Sequence, residues 1–185
     1  MIPKKDCRSW KRTDRWDRKP GGKHLLKTLE IVGENYYGKW DETRTACRGI
    51  VVREDEVLLC HEAVTDTWMI PGGGKEAEES ENGCCIREVA EETGYLIEVS
   101  PCVLQIDEYY EDWKYVSYYY VGTVIGQHDR KLTEREKAVG MEAKWIPIEE
   151  AIRIFSTHAS YTDVNEEKRG IYQREYLALC DLFAE

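Results

Sequence analysis

No run of apolar residues in this 185-residue chain approaches the roughly 18 to 20 needed to span a bilayer. The N-terminus is polar and basic and lacks the apolar segment of a secretory signal. These absences predict a soluble, cytoplasmic protein with no membrane partner. The seven cysteines are odd in number and include no C-x-x-C pair, so neither a disulfide frame nor a zinc site is expected. Most lie in apolar stretches, as reduced core thiols do. There is no internal repeat and no low-complexity segment.

Positive charge is scarce beyond the first 27 residues. The net charge is −10, yet residues 1–27 hold ten Lys/Arg against three Asp, which leaves −17 for residues 28–185. A body this acidic repels polyphosphates, so a phosphate substrate requires a metal ion or local bases. The basic arm raises the possibility of contact with nucleic acid or a membrane surface. Trp10, Trp16, Pro20 and the Gly21-Gly22 pair instead favour an arm folded back on its own acidic domain, and nucleic acid is disfavoured as a partner.

A length of 185 residues, 42% hydrophobic and 34% charged, supports one proper core. The expected organisation is a basic extension with a strand or hairpin (1–43), a central domain (44–155) and a C-terminal helix packed on it (156–185). Strands are predicted at 47–52, 57–62, 96–99, 103–108, 114–125 and 142–147, with a short one over 67–74 that ends in a Pro-Gly break. Helices are predicted at 80–93, 148–155 and 165–183, the first capped by Ser80 and ended by Gly94. The stretch 127–140 reads as a charged loop. Strands on both sides of one central helix, with more helix at the end, predict an α/β (α+β) sandwich.

The central helix carries the chemistry. At 100° per residue, Glu81, Glu88, Glu91 and Glu92 fall within about 100° of one another, while Cys85, Ile86 and Val89 lie on a separate, mostly apolar face. Like charges at i, i+4 destabilise a helix by roughly 0.2–0.5 kcal/mol per pair, and a divalent cation would relieve this. Oxygen ligands without His or Cys point to Mg²⁺ or Mn²⁺, which take phosphate oxygens as further ligands. From the E-x-x-E-E spacing alone, a solvated acidic face is the plainer reading.

The residues before the helix overturn that reading. From Gly73, through Glu79 and Arg87, to "EVAEETGY", the chain follows G-x5-E-x7-R-E-U-x-E-E-x-G-U, where U is a bulky aliphatic residue. This resembles the Nudix hydrolase family, with one departure, Tyr95 at the last aliphatic position. The order of strands and "WMIPGGG" extend the resemblance to about residues 44–155. It implies a Nudix-type α/β/α sandwich with a mixed sheet and a catalytic strand-loop-helix. It also implies a Mg²⁺- or Mn²⁺-dependent hydrolase that cleaves the phosphoanhydride bond of a nucleoside diphosphate linked to a group X.

By position, Glu88, Glu91 and Glu92 correspond to the metal-binding and catalytic carboxylates, with the backbone at Gly73 as a further ligand. Glu79 and Arg87 correspond to a structural pair, and Gly94 belongs to the same motif. In this family the base often comes from a downstream loop, which here offers Glu134, Glu136 and Glu142; Glu136 is preferred. Arg44, Arg48 and Lys75 are candidate phosphate ligands, with a buried ion pair as the competing role of Arg48. Tyr109, Tyr110, Trp113 and Tyr115 are strand-packing residues that could also stack on a base, and Cys84 is a buried inert thiol. The favoured substrate is a (deoxy)nucleoside triphosphate, oxidised forms included, or a nucleotide sugar. The alternatives are a catalytically silent nucleotide sensor and an RNA-end enzyme that uses the basic arm. Extra terminal elements on an acidic, aromatic-rich body suggest a homodimer.

Overall fold

The computed structural model of the protein describes residues 26–184. The expected contacts of the basic arm lie outside the described residues. The elements are β1 (Lys27–Val32), β2 (Glu42–Arg53), β3 (Glu56–Glu62), β4 (Thr67–Met69), β5 (Gly72–Gly74), α1 (Glu81–Thr93), β6 (Tyr95–Val99), β7 (Leu104–Tyr110), β8 (Trp113–Gln127), α2 (Glu134–Ala138), β9 (Met141–Pro147), α3 (Ile148–Phe155), a 3-10 turn (Ser156–Tyr161) and α4 (Glu166–Phe183). The strands form one mixed sheet in the order β1-β7-β8-β2-β3-β4, with β5 on β2, β6 on β8 and β9 on β3. Two pairs are parallel, β1 with β7 and β2 with β8.

The period-two alternation of strand side chains splits the core into two layers. Ile50, Val57, Leu59 and Tyr119 face one way and pack with Phe155, Tyr172 and Leu179 of α3 and α4. Their chain neighbours Val51, Leu58 and Tyr120 face the other way and pack with Cys84, Cys85 and Val89 of α1. The sheet is therefore apolar on both faces, and a helix layer covers each, which is the expected sandwich.

Three elements depart from expectation. The Pro-Gly break becomes β5, because Gly72–Gly74 pairs antiparallel with Ala46–Arg48. The predicted charged loop holds α2, whose Thr133 and Glu136 make a reciprocal capping box. β1 forms no hairpin; it pairs with β7, about 75 residues later, a contact no local pattern encodes.

Candidate active site

α1 starts where Ser80 accepts a hydrogen bond from the Gly83 amide, and it ends at Gly94, whose φ of 77° suits a residue without Cβ. Its buried face takes in Glu92 as well as the apolar residues. The acidic stripe is thus turned partly into the protein, against β5, rather than out to solvent.

Glu92 is 5% exposed. One of its oxygens accepts from the Gly72 amide at 2.9 Å and lies 3.6 Å from the Cys60 thiol. Burial pushes its carboxyl up to about 8 despite the amide bond, and the negative charge of Glu88 adds to the rise. Glu88 lies over Gly73. A Cβ on Gly73 would come within 2.5 Å of the Glu88 carboxyl, so only glycine admits this approach. Glu88 is also raised, first by burial and then by its neighbours Glu91 and Glu136.

Arg87 ties this cluster to the preceding loop. It grips Glu79 with two bonds, Nη2 to Oε1 at 2.6 Å and Nε to Oε2 at 3.0 Å, and donates to the Gly74 carbonyl at 3.3 Å. This fork holds the Glu79 carboxyl down at about 2. Its remaining nitrogen, Nη1, donates to Glu88 at 2.8 Å and Glu91 at 3.2 Å, so both carboxylates converge on one cation. The Cys84 thiol is 3.6 Å from the Gly73 carbonyl and is raised by the neighbouring Cys47 thiol and by burial.

Of the three downstream glutamates, Glu136 is one whose negative charge adds to the rise of both the Glu88 and Glu92 carboxyls. Its loop is fastened to α1 by main-chain bonds from His128 to Gly94 and from Lys131 to Glu91. Glu134 points to solvent and pairs with Lys137. Glu142 lines a polar cleft of about 430 Å³ past the end of α1 and pairs with Lys144. Among the bases, the Arg44 guanidinium passes beside Gly74, and Lys75 hydrogen-bonds through its amide to Thr45. Arg48 makes a buried pair with Glu175 at 3.7 Å, and its charge also acts to lower the Glu92 carboxyl.

The donor set fits a hard divalent cation. It comprises three carboxylates, two of them raised chiefly by burial, beside a main-chain carbonyl. Among the described residues no three His, Cys, Asp or Glu side chains are gathered round one point, and Arg87 bridges Glu88 and Glu91.

The NUDIX domain profile matches residues 43–173, from the start of β2 into α4. The chain belongs to the Nudix family. It is 36% identical over 107 residues to human diphosphoinositol polyphosphate phosphohydrolase 3-beta, covering 57% of this chain and 63% of that protein. It is 38% identical over 109 residues to mouse diphosphoinositol polyphosphate phosphohydrolase 2, covering 57% and 58%. The match therefore spans less than two thirds of these relatives. A solved NUDIX hydrolase from Nitrosomonas europaea superposes with a TM-score of 0.50 at 25% identity, over 58% of this chain and 74% of that one. These Nudix likenesses accord with the sandwich described above.

Sequence reasoning did not find Cys60 beside Glu92, nor the buried partners of Arg48. Cys60 sits in an apolar run, and 32 residues separate it from Glu92. The Arg48 and Glu175 pair spans an even longer stretch of chain. Neither carries a local signal.

Proposed function

We propose that this protein is a Mg²⁺- or Mn²⁺-dependent pyrophosphohydrolase that cleaves a phosphoanhydride bond of a small phosphorylated molecule. The observation that carries this reading is the cation deficit at one helix edge: Glu88 and Glu91 share a single guanidinium nitrogen, and the buried Glu92 makes no ion pair among the described residues. When bound, the metal would polarise phosphoryl oxygens and acidify the attacking water. Glu88, Glu91, Glu92 and the Gly73 carbonyl would hold it. Glu79 and Arg87 keep loop and helix in register, so that these donors stay on adjoining backbone. Glu136 is the candidate base, a fourth carboxylate whose position comes from the capped turn of α2. Arg44 and Lys75, at the end of β5, are placed to take outer phosphate oxygens.

The substrate reading shifts with the relatives. Their names point to a diphosphate on a polyphosphorylated inositol, ahead of the nucleotides expected from sequence. A polyanion of this kind needs bases, and Arg44 and Lys75 beside the site provide two of them. The test is a hydrolysis panel with Mg²⁺ containing a diphosphoinositol polyphosphate, nucleoside triphosphates, ADP-ribose, nucleotide sugars and dinucleoside polyphosphates, with products separated by chromatography. The expected result is release of inorganic phosphate from the diphosphoinositol compound at the highest kcat/KM. Preference for a nucleoside triphosphate would restore the nucleotide reading, and silence across the panel would remove the enzymatic one.

A further inference from the structure

A second set of buried charges lies on the far side of the sheet, outside the motif. Glu175 on α4 is fully buried. Its Oε1 accepts from Arg174 at 2.8 and 3.3 Å, and its Oε2 accepts from the Tyr119 hydroxyl at 3.0 Å. Arg174 reaches on to Glu108 at 3.1 Å, and Arg48 stands 3.7 Å from Glu175. Two arginines and two glutamates balance here. Even so, Nε of Arg48 is buried without a protein partner.

For stability alone this is a poor arrangement. Buried ion pairs gain little over apolar packing of the same volume, and an unmatched donor subtracts from that. What the network does achieve is to fix the Arg48 guanidinium beside the strand that enters the candidate active site. Arg48 is in register with Gly72, its Nη1 reaches the Ile70 carbonyl at 3.4 Å, and the next amide, Gly49, donates to Pro71 at 2.9 Å. Three successive residues, Ile70 to Gly72, are thus gripped by Arg48 and Gly49. The last of them donates the amide that holds Glu92.

We propose that Arg48 and Glu175 are positioning residues for Glu92: α4 holds Arg48, Arg48 holds the Ile70–Gly72 segment leading from β4 into β5, and the Gly72 amide orients the buried carboxylate. The kinetic half of the test rests on the proposed function; the structural half does not. Amide exchange by NMR on the full chain reads the strand directly. In Arg48→Met, exchange at Gly72 should rise by about tenfold or more relative to the β6–β8 ladder, and Arg48→Lys should bring it back to within about threefold. With a diphosphoinositol polyphosphate and Mg²⁺, kcat of Arg48→Met should fall about tenfold or more while KM stays within about twofold. Should Arg48→Met fail to fold, Glu175→Gln, of nearly the same shape, gives the same two readings. A uniform rise in exchange with no excess at Gly72 would overturn the proposal. So would a raised KM at constant kcat, which would make Arg48 a substrate ligand. If the wild type does not cleave the probe, the substrate reading fails, and Gly72 exchange still decides this one.

Discussion

The two faces of the sheet each bury a cluster of glutamates and arginines, and the clusters differ in their balance. On the α4 side, Glu108 and Glu175 meet Arg174 and Arg48, one cation for each anion. On the α1 side, Glu79, Glu88 and Glu91 all pair with Arg87, Glu79 already holds most of its fork, and Glu92 makes no ion pair among the described residues. The same side chains therefore do different work. A matched set locks elements together, whereas a set short of positive charge, with two carboxyls pushed up chiefly by burial and further by neighbouring carboxylates, offers a place for a metal ion. Local charge balance separates the two roles better than burial does, since both clusters contain buried carboxylates.

The comparison can be broken at either end. The largest effect is expected from Glu92→Gln, which removes a carboxylate from the deficient cluster. Hydrolysis should fall by about three to four orders of magnitude with the circular dichroism spectrum unchanged, and normal turnover would remove the metal-site reading. Arg174→Met strips the balanced cluster of a cation. It should lower unfolding free energy by about 3–5 kcal/mol in urea titration, because Glu108 and Glu175 are left buried and underpaired. A loss below 1 kcal/mol would mean that water already screens that pair.

Gly73→Ala probes the close approach of loop and helix. The added methyl would push the Glu88 carboxyl aside and slow turnover by about 10²-fold, with a smaller change in stability. The last effect is a pH slope. Glu92 titrates near 8 when folded and near the ordinary glutamate value when unfolded, so the folded state binds the extra proton between them. Stability of the metal-free protein should therefore fall as pH rises from about 5 to 8, the reverse of what a depressed carboxylate gives. Melting temperatures across that window, compared with Glu92→Gln, check the sign: the variant should show a flatter line. Mg²⁺ should flatten the wild-type line too, by favouring the ionised form. Glu79 behaves oppositely, since its stabilising pair with Arg87 is present above the ordinary glutamate range and lost as pH falls toward about 2.

Legibility followed the range of the interaction. The cap at Ser80, the end of α1 at Gly94 and the alternating strands all depend on neighbours a few residues away, and they could be read directly. The spacing of Gly73, Glu79, Arg87, Glu88, Glu91 and Glu92 lies within one strand-loop-helix, so family and candidate cluster were visible too. Helical geometry did not reveal that Glu92 turns inward, because burial depends on what packs against the helix. Arg48 was undecidable between ligand and ion pair, since its partner is on the last helix. Glu136, already preferred over Glu134 and Glu142 on sequence, adds its charge to the rise of Glu88 and Glu92.

The sequence by itself determined the two-faced sheet, the acidic helix and the family, because hydrophobic period, caps and motif spacing are local. Only the tertiary structure decided which carboxylates lack a counter-charge. That balance is settled by side chains brought together from strands and helices far apart in the chain, whose Coulomb energies depend on distance and burial rather than on order along it.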